Sequence, residues 1–500
     1  MRGVVDTLVV GAGISGLAYA HARGPTADLL VLEASDRPGG LIRTTRTPLE
    51  GGGTVRFEWG PETLPGDAPE LSALLAELKL DVRPVPPAAA RRLVLHAGRL
   101  HTLPTGPLSL LTSGLLSRRG QLRVLTEPLR SRGAALDATV ADFVRHRLGE
   151  EALSRLADPL VASIHATGPE RLSLRAAFPE LRAMVNEHGS LWAGRRARRR
   201  RERQASAAGG PPRPAEPERE LAIAGGSSKL TEALGRSLGN RLLVNARITS
   251  VTQEPATFDD PWEAVADLTR HPMVWRVDAQ SHQGPLPEEL SWRARRLVLA
   301  LPPKVASRVL LPVERTLAET LASISSESLV SISHAWRQQD VGHRLDAGAL
   351  LVPASESRVH LQTWFSSTIR PGCASEGLVL LRTLLGGGRN ARLIDWPEEE
   401  LWGAVLQEVA PVLELKGQPV WRSIIRQREA LPRYDLDHPA RREHIAHMLA
   451  ALPGLSLLGS WNRGHGCAQL VADARALARD HAQSESRETR IPPALRVRTS

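Results

Sequence analysis

The chain has 500 residues, of which 42% are hydrophobic and 24% charged, which indicates a globular protein of about three domain-sized units. The two cysteines, Cys373 and Cys467, exclude a disulfide framework and a cysteine-rich zinc site, and they favour a reducing, intracellular setting. The net charge is +10, but the chain has only 5 Phe, 2 Tyr and 11 Trp on which bases could stack, so dedicated nucleic-acid binding is not expected.

The amino-terminal segment predicts a buried strand over residues 4–10 that leads into a glycine-rich turn and a helix. The turn has the pattern G-x-G-x-x-G, and its candidate cofactor-binding residues are Gly11, Ala12, Gly13, Ile14, Ser15 and Gly16. In this context the pattern predicts a dinucleotide site, because the backbone can approach a pyrophosphate at the helix N-terminus. Asp6 interrupts the apolar stretch and argues against a signal peptide, and no apolar run is long enough to span a membrane.

A second apolar strand, Leu29 to Leu32, ends at Glu33. An acid at this distance, about 20 residues beyond the first glycine, can accept the ribose hydroxyls and would repel a 2′-phosphate, so NADP is disfavoured. The next candidate cofactor-binding residues are Ala34, Gly40, Leu41 and Arg43. A simple NAD unit has no need of a second glycine pair and an arginine here, and the arginine can supply a cation near a phosphate.

The residue pattern in the middle of the chain predicts helical segments that alternate with strand-rich ones. These are a helix at 69–80, a hairpin at 93–103, a helical stretch at 104–200, an arginine-rich run at 195–203, a loop or disordered linker at 204–220, a helix from 224, a strand at 242–251, a strand at 296–301, strands within 326–390 and a helix at 397–413. Ile248, within the strand at 242–251, is a further candidate cofactor contact.

The carboxyl-terminal region predicts a second strand, glycine-rich turn and helix, with the strand at 455–458 and the helix at 468–478. The candidate cofactor-binding residues in the turn are Ser460, His465, Gly466 and Cys467. Backbone amides and a helix dipole at such a turn favour an electron-rich partner, such as the N1/C2 edge of a flavin. Neither His165 nor His465 is predicted to act as a general base, because a lone histidine is more often structural.

Residues 33–43 resemble the extended FAD signature of the flavin amine oxidase and protoporphyrinogen oxidase superfamily. Gly60, Pro61, Glu62 and Thr63 resemble the segment that this superfamily places beside the isoalloxazine. Further segments match the protoporphyrinogen oxidase family in order and spacing, and they are 92–106, 171–181, 188–191, 349–353, 385–387 and 431–434. The resemblance covers nearly the whole chain and implies FAD as the cofactor.

The resemblance implies an α/β fold: a discontinuous Rossmann-like FAD/NAD(P)-binding domain, a mixed-sheet substrate domain and a helical membrane-associating insertion. The expected segments are 1–85, 221–310 and 431–500 for the FAD domain, 86–104 and 311–430 for the substrate domain, 105–203 for the insertion and 204–220 for a flexible linker. The expected location is cytoplasmic and peripheral to a membrane, or the mitochondrial inner membrane in a eukaryote.

The implied reaction is the oxidation of protoporphyrinogen IX to protoporphyrin IX with oxygen as acceptor, in haem and porphyrin biosynthesis. By position, Arg92 matches the family arginine that pairs with a substrate propionate, and Leu351 and Leu384 match apolar positions that sandwich the macrocycle. Ser163 and Ala166 fall in the segment whose main-chain carbonyl faces the pyrrole N–H groups. Neither a catalytic side chain nor a set of metal ligands is predicted.

Several alternatives stay open at this stage. A sibling enzyme oxidises coproporphyrinogen III; an amine oxidase would need an aromatic cage, for which the chain has only Tyr19 and Tyr434 as tyrosines; and a carotenoid desaturase lacks support in the middle segments. Because the family's G-V-x-x-N-D-C-I turn is here G-H-G-C-A-Q-L-V, from Gly464, a catalytically silent flavin-binding partner is also considered. The candidate partners beyond substrate, oxygen and membrane are a second copy of the chain and ferrochelatase.

Overall fold

A computed structural model describes residues 4–130, 138–207, 219–256, 273–281 and 287–490. The helices are α1 (Ile14–Ala22), α2 (Pro69–Glu77), α3 (Pro107–Thr112), α4 (Arg118–Leu125), α5 (Val140–Leu148), α6 (Glu150–Ala152), α7 (Asp158–His165), α8 (Leu174–Ala177), α9 (Pro179–His188), α10 (Leu191–Ala207), α11 (Ser228–Leu238), α12 (Pro303–Leu310), α13 (Arg315–Ala322), α14 (Ser366–Ile369), α15 (Glu398–Leu413), α16 (His438–Ala450) and α17 (Cys467–Arg490).

The strands form two large sheets and two small ones. They are β1 (Val5–Val10), β2 (Leu29–Leu32), β3 (Thr44–Pro48), β4 (Thr54–Glu58), β5 (Leu64–Pro65), β6 (Val82–Pro84), β7 (Arg92–His96), β8 (Arg99–Thr102), β9 (Glu220–Ile223), β10 (Leu242–Leu243), β11 (Ala246–Pro255), β12 (Met273–Ser281), β13 (Glu288–Leu299), β14 (Ser326–Arg337), β15 (Ala349–Leu351), β16 (His360–Trp364), β17 (Leu378–Gly386), β18 (Trp421–Pro432) and β19 (Leu455–Leu457).

The first large sheet has the order β10-β2-β1-β13-β12-β11, with β19 also paired to β13. The strands β10, β2, β1, β13 and β19 run parallel to their neighbours, whereas β11 and β12 form an antiparallel extension on β13. Apolar residues cover both faces of β1 and β2, as expected for a parallel sheet with helices on each side. Helices α1, α11 and α17 pack on one face, and α12, α13 and α16 pack on the other.

The second large sheet has the order β18-β14-β17-β16-β15-β7-β8 and is mixed, because β15 and β7 are parallel while every other pair is antiparallel. Helix α15 covers one face through a buried apolar cluster that includes Trp336, Leu350 and Leu401. The other face carries Arg382, whose guanidinium reaches the backbone of Trp59 and Gly60 that follow β4. Gly60 lies against the carbonyl of Leu41, next to Gly40, which approaches Gly13, so this face is turned toward the glycine-rich edge of the dinucleotide sheet.

Helices α3 to α10 lie between β8 and β9 in the chain and build their own apolar clusters around Phe143 and Leu110. A π-helical turn, Leu153–Ala157, separates α6 from α7. Among the described residues, no helix is both long enough and apolar enough to cross a membrane.

The structure confirms the mixed α/β class with a Rossmann-like parallel sheet and a mixed second sheet. One local prediction was wrong: the expected loop or disordered linker at 204–220 is helical in its first residues, because α10 continues to Ala207. Arginine, glutamate and alanine are good helix formers, and they extend the helix through the charged run. Residues 208–218 of that segment lie outside the described residues. The limits of the seven expected segments stay a prediction.

Candidate active site

The glycine-rich loop joins β1 to α1 and leaves open space beside Gly13. Gly11 has a φ of +99°, and a side chain there would overlap the carbonyl oxygen of Ala300. A side chain on Gly16 would overlap the carbonyl oxygen of Gly11, so these two glycines let the turn, helix and sheet pack closely. In contrast, a Cβ built on Gly13 meets no atom within 4 Å. The helix N-terminus therefore faces a cradle in which a pyrophosphate can approach the backbone.

Glu33, at the end of β2, is tied to this loop by hydrogen bonds. Its carboxylate accepts from the backbone N–H of Ala12 at 2.8 Å, from the backbone N–H of Ser35 at 2.9 Å and from the Ser35 hydroxyl at 2.7 Å. An ionised carboxylate has about four acceptor sites, so capacity remains for a ribose hydroxyl. The hydrogen bond to Ala12 holds that acid against the phosphate cradle.

The second glycine pair crosses over the first loop. The backbone N–H of Gly39 donates to the carbonyl of Ala12 at 2.7 Å, and a Cβ built on Gly40 would lie 3.4 Å from the Cα of Gly13. Ala34, Gly40 and Leu41 are exposed at the rim of this crossing. The guanidinium of Arg43 lies 4.2 Å from the ring centroid of Trp59. The structure thus brings the residues at 11–16, 33 and 39–40 into one group.

The segment Trp59–Thr63 is fixed by buried charges from the second sheet. Arg382 donates to the carbonyl of Gly60 at 2.5 Å and to that of Trp59 at 2.8 Å. Glu62 accepts from Arg370 at 2.9 Å and from the Ser366 hydroxyl at 3.1 Å. We call Glu58, Glu62, Arg370 and Arg382 the buried charge cluster.

Burial and ion pairing act in opposite directions on the acids of this cluster. Burial alone raises the pKa of Glu62, but Arg370 and Arg382 outweigh it and hold that pKa below its ordinary value. At Glu58 burial dominates over the attraction of Arg370, and the pKa is raised. Glu62 is therefore the acid that keeps its charge and joins the segment at 59–63 to the second sheet.

Pro61 and Thr63 complete the contacts of this segment: the carbonyl of Pro61 accepts from the Ser227 hydroxyl at 3.1 Å, and the hydroxyl of Thr63 donates to Glu220 at 3.1 Å. Glu220 also binds Arg92, with 2.6 Å between Nη2 and Oε1. Arg92 further donates to the carbonyl of Ala89 and lies 5.6 Å from the Trp364 ring. Arg92, the residue predicted to bind a propionate, therefore lies next to the segment at 59–63 and is already paired with the carboxylate of Glu220.

The carboxyl-terminal turn lies between β19 and α17. Leu458 bonds to Leu299 at the end of β13, which places the turn at the same edge of the parallel sheet as the glycine-rich loop. The carbonyl of Ser460 accepts from the Tyr434 hydroxyl. Helix α17 begins at Cys467, directly after Gly466, and burial raises the pKa of the Cys467 thiol to about 11. The thiol is therefore protonated at neutral pH.

His465 in this turn contacts His165 at the end of α7, with 3.2 Å between Nε2 and Nδ1. Tyr434 stacks on His465 with a centroid distance of 6.0 Å, and Phe178 and His438 complete an aromatic cluster. Burial lowers the pKa of His165 to about 3 and that of His465 to about 4. Both imidazoles are neutral near pH 7, so one donates and the other accepts in their hydrogen bond.

The predicted macrocycle residues meet on the face of the second sheet that is turned toward the first. Leu351 and Leu384 are buried there. The carbonyl of Ser163 accepts from the side-chain amide of Gln362 at 3.2 Å, and that of Ala166 accepts from the backbone N–H of Gly388 at 2.7 Å. Both carbonyls already have one donor. Ile248 packs against the apolar cluster that includes Leu30 and Leu32 on the other face of the first sheet.

Sequence reasoning singled out Glu62 but missed its partners in the buried charge cluster, Arg370 and Arg382. It also missed Glu220, the partner of Arg92, and Gln362. Arg370 lies 308 residues from Glu62, and no local pattern links them. Gln362 is one of three polar residues in β16, together with His360 and Thr363. A polar residue at a buried strand position was the one signal that the sequence offered.

The buried histidines predict acid sensitivity of the fold. Burial lowers the pKa of His438 from 6.5 to about 4, so below pH 6.5 the unfolded chain binds protons that the folded chain does not. Stability is full above pH 6.5 and is lost as the pH falls toward 4; for His438 alone the loss at pH 5 is about 2 kcal/mol. We expect the urea concentration at which half of the protein is unfolded to be lower at pH 5 than at pH 7. His438→Gln should reduce this pH dependence and the exposed His444→Gln should not; equal slopes for both would contradict the assignment.

The family model for flavin containing amine oxidoreductases matches residues 14–476 of this chain. The chain belongs to the flavin containing amine oxidoreductase family. This flavin oxidoreductase is 28% identical to protoporphyrinogen oxidase, chloroplastic, of Oryza sativa subsp. japonica over 94% of this chain and 86% of the relative. It is 30% identical to coproporphyrinogen III oxidase of Propionibacterium freudenreichii subsp. freudenreichii over 94% of this chain and 89% of the relative. The predicted family is confirmed.

Solved structures support the fold of this flavin oxidoreductase. A protein of Exiguobacterium sp. 255-15 superposes with a TM-score of 0.75 at 21% identity, over 97% of this chain and 100% of the other. Cyclohexylamine oxidase from Brevibacterium oxydans IH-35A superposes with a TM-score of 0.60 at 19% identity, over 96% of this chain and 100% of the other.

The cofactor of this oxidoreductase is FAD, as predicted from the sequence. The residues present fit it: the open cradle at Gly13 suits the pyrophosphate, and Glu33 has an acceptor site left for a ribose hydroxyl. The helix N-terminus at Cys467, at the same sheet edge, suits the electron-rich edge of the flavin.

Proposed function

We propose that this chain oxidises a porphyrinogen, with protoporphyrinogen IX as substrate, protoporphyrin IX as product and oxygen as the final acceptor. The observation that carries the proposal is the similarity over 94% of the chain to enzymes named protoporphyrinogen oxidase and coproporphyrinogen III oxidase. Coproporphyrinogen III is the second candidate substrate, because the coproporphyrinogen III oxidase of Propionibacterium freudenreichii is as similar as the plant enzymes.

The arrangement of side chains suits a flat, apolar ring system with carboxylates at its edge. Leu351 and Leu384 supply apolar walls on the inner face of the second sheet. Arg92 lies in the next row of that face and would hold a propionate, since a guanidinium binds a carboxylate bidentately. That propionate must share Arg92 with Glu220 or displace it.

FAD, when bound, supplies an acceptor for two electrons from a saturated carbon of the substrate. The residues of this chain bind and orient the substrate and exclude water from it. Arg382 fixes the backbone at residues 59–60, and the aromatic cluster around His165 closes the neighbouring side with neutral groups. The buried leucines would exclude water from the macrocycle, and the pairing of a propionate with Arg92 would fix its orientation.

The choice between the two substrates can be tested by steady-state kinetics of the FAD-loaded protein with each porphyrinogen. We expect kcat/KM for protoporphyrinogen IX to exceed that for coproporphyrinogen III by at least about tenfold, because the apolar walls accept vinyl groups better than charged propionates. A preference for coproporphyrinogen III would transfer the proposal to that substrate. Turnover of neither would favour the silent flavin-binding protein.

We also propose that the helical segment α3–α10 touches an anionic membrane surface. Leu108 and Leu129 are 77% and 84% exposed. Helix α10 is attached to the same helical segment, since its Trp192 indole donates to the carbonyl of Val124 in α4 and its Arg195 donates to the carbonyl of Thr105. Exposed apolar side chains flanked by arginine are typical of interfacial binding.

Neutralising four exposed arginines of α10, Arg196, Arg199, Arg200 and Arg201, is expected to abolish flotation with anionic liposomes while leaving the thermal unfolding midpoint unchanged. A control variant neutralises four exposed arginines of other elements, Arg236, Arg315, Arg344 and Arg392. Equal flotation of both variants would remove α10 from the proposed membrane surface.

A further inference from the structure

Gln362 occupies the centre of the predicted macrocycle surface. In the register of the second sheet it lies directly opposite Leu351 on β15 and opposite Leu384 on β17. Residues that pair directly across strands project from the same face, so the three side chains form one row. The pairing between β16 and β17 shifts at Leu361, which leaves Gln362 in step with Leu384.

This row lies on the face turned toward the dinucleotide sheet. Two residues further along β16, Trp364 pairs with Arg382, and Arg382 reaches the backbone of Gly60. Side chains two residues apart on a strand share a face. The opposite face carries Leu350 and Leu385, which pack under α15. Gln362 is therefore on the same face as the segment at 59–63.

The orientation of the Gln362 amide follows from its partner. Its Nε2 lies 3.2 Å from the carbonyl oxygen of Ser163 in α7, and a carbonyl can only accept a hydrogen bond. The NH₂ group must face Ser163, and Oε1 is left as an acceptor. Gln362 is 2% exposed, and among the described residues no donor reaches Oε1. Buried acceptors nearly always have a donor, so this atom lacks the partner that its position demands.

We propose that Oε1 of Gln362 accepts a hydrogen bond from a pyrrole N–H of the tetrapyrrole substrate, which makes Gln362 a substrate-binding residue. The inference rests on the proposed function. The centre of a porphyrinogen presents N–H donors and its surroundings are apolar, which matches an amide oxygen between two leucines. Because the NH₂ group of Gln362 donates to the carbonyl of Ser163, the amide presents its Oε1 as an acceptor on the sheet side. The oxygen is covered in this structure, so the macrocycle reaches it when the side chains that cover it shift, while the hydrogen bond to Ser163 keeps the amide in this orientation.

The test measures binding of two ligands by the FAD-loaded protein. Anaerobic mixing with increasing protoporphyrinogen IX gives its Kd from the rate of flavin bleaching, and fluorescence titration gives the Kd of zinc protoporphyrin, whose nitrogens carry no hydrogen. We expect Gln362→Met to raise the Kd of the porphyrinogen about tenfold and to leave that of the zinc complex unchanged. Gln362→Glu keeps an acceptor oxygen in either protonation state and should bind the porphyrinogen nearly as well as the wild type.

Thr363→Val is the matched control, because Thr363 is equally buried on the opposite face and bonds to Thr383. It should change neither Kd, and thermal unfolding of each variant should show that it is folded. If Gln362→Met weakens both ligands equally, Gln362 only holds α7 and the inference is wrong. An unchanged porphyrinogen Kd in Gln362→Met also overturns it. Failure of the wild type to bleach would overturn the proposed function together with the inference.

Discussion

Gly13→Asp is expected to give a folded protein that has lost more than about a hundredfold in affinity for FAD. The new side chain clashes with nothing, because a Cβ at Gly13 meets no atom within 4 Å. Its carboxylate would occupy the cradle at the N-terminus of α1 and repel the pyrophosphate; two like charges 4 Å apart near a protein surface cost about 4 kcal/mol. Equilibrium dialysis measures the affinity for FAD, and the far-ultraviolet circular dichroism spectrum shows whether the variant is folded.

The matched control is Gly403→Asp, which adds the same group at an exposed position of α15 where a Cβ also meets no atom. This variant should bind FAD like the wild type. Gly16→Ala is expected to behave differently from Gly13→Asp, since its Cβ would overlap the Gly11 carbonyl and destabilise the fold itself. Full FAD affinity in folded Gly13→Asp would show that the pyrophosphate does not lie beside this glycine.

Glu62→Gln is expected to lower the free energy of unfolding by about 3–5 kcal/mol, because it leaves Arg370 and Arg382 buried with one carboxylate too few. Glu62 is 4% exposed, and its carboxylate joins the segment after β4 to α14 and β17. Denaturation in urea measures the loss. FAD retention should also fall, because Arg382 positions the backbone of Trp59 and Gly60.

The control for this change is Asp395→Asn, which breaks the exposed pair between Asp395 and Arg428. The two side chains are 68% and 61% exposed, so the expected loss is below about 1 kcal/mol. A similar loss in both variants would mean that the buried charge cluster contributes no more than a surface pair. In that case its charges would not hold the segment at 58–62 against the second sheet.

The glycine-rich loop and Glu33 could be predicted from the sequence because their geometry is local. Gly11, Gly13 and Gly16 fall within one turn, and the acid follows the next strand. A positive φ or a close approach of another backbone requires glycine at positions 11 and 16, so the glycines in the sequence indicate the conformation of the loop. The two helix N-termini at the sheet edge were predicted for the same reason.

The substrate face could not be derived in this way, because it depends on strand register. Leu351, Gln362 and Leu384 come together only when β15, β16 and β17 pair, and a shift of one residue would turn them to the opposite face. Resemblance to a family suggested the two leucines, but it gave no reason to consider the glutamine. Likewise, the sequence singled out His165 and His465 separately, while their contact joins residues 300 positions apart.

Anaerobic addition of protoporphyrinogen IX to the FAD-loaded protein tests the central claim most directly. We predict that the yellow flavin bleaches in proportion to the porphyrinogen added, and that admission of oxygen restores the colour as porphyrin fluorescence appears. A flavin that stays yellow with protoporphyrinogen IX and coproporphyrinogen III, in protein that demonstrably holds FAD, would contradict the claim that this chain is a porphyrinogen oxidase.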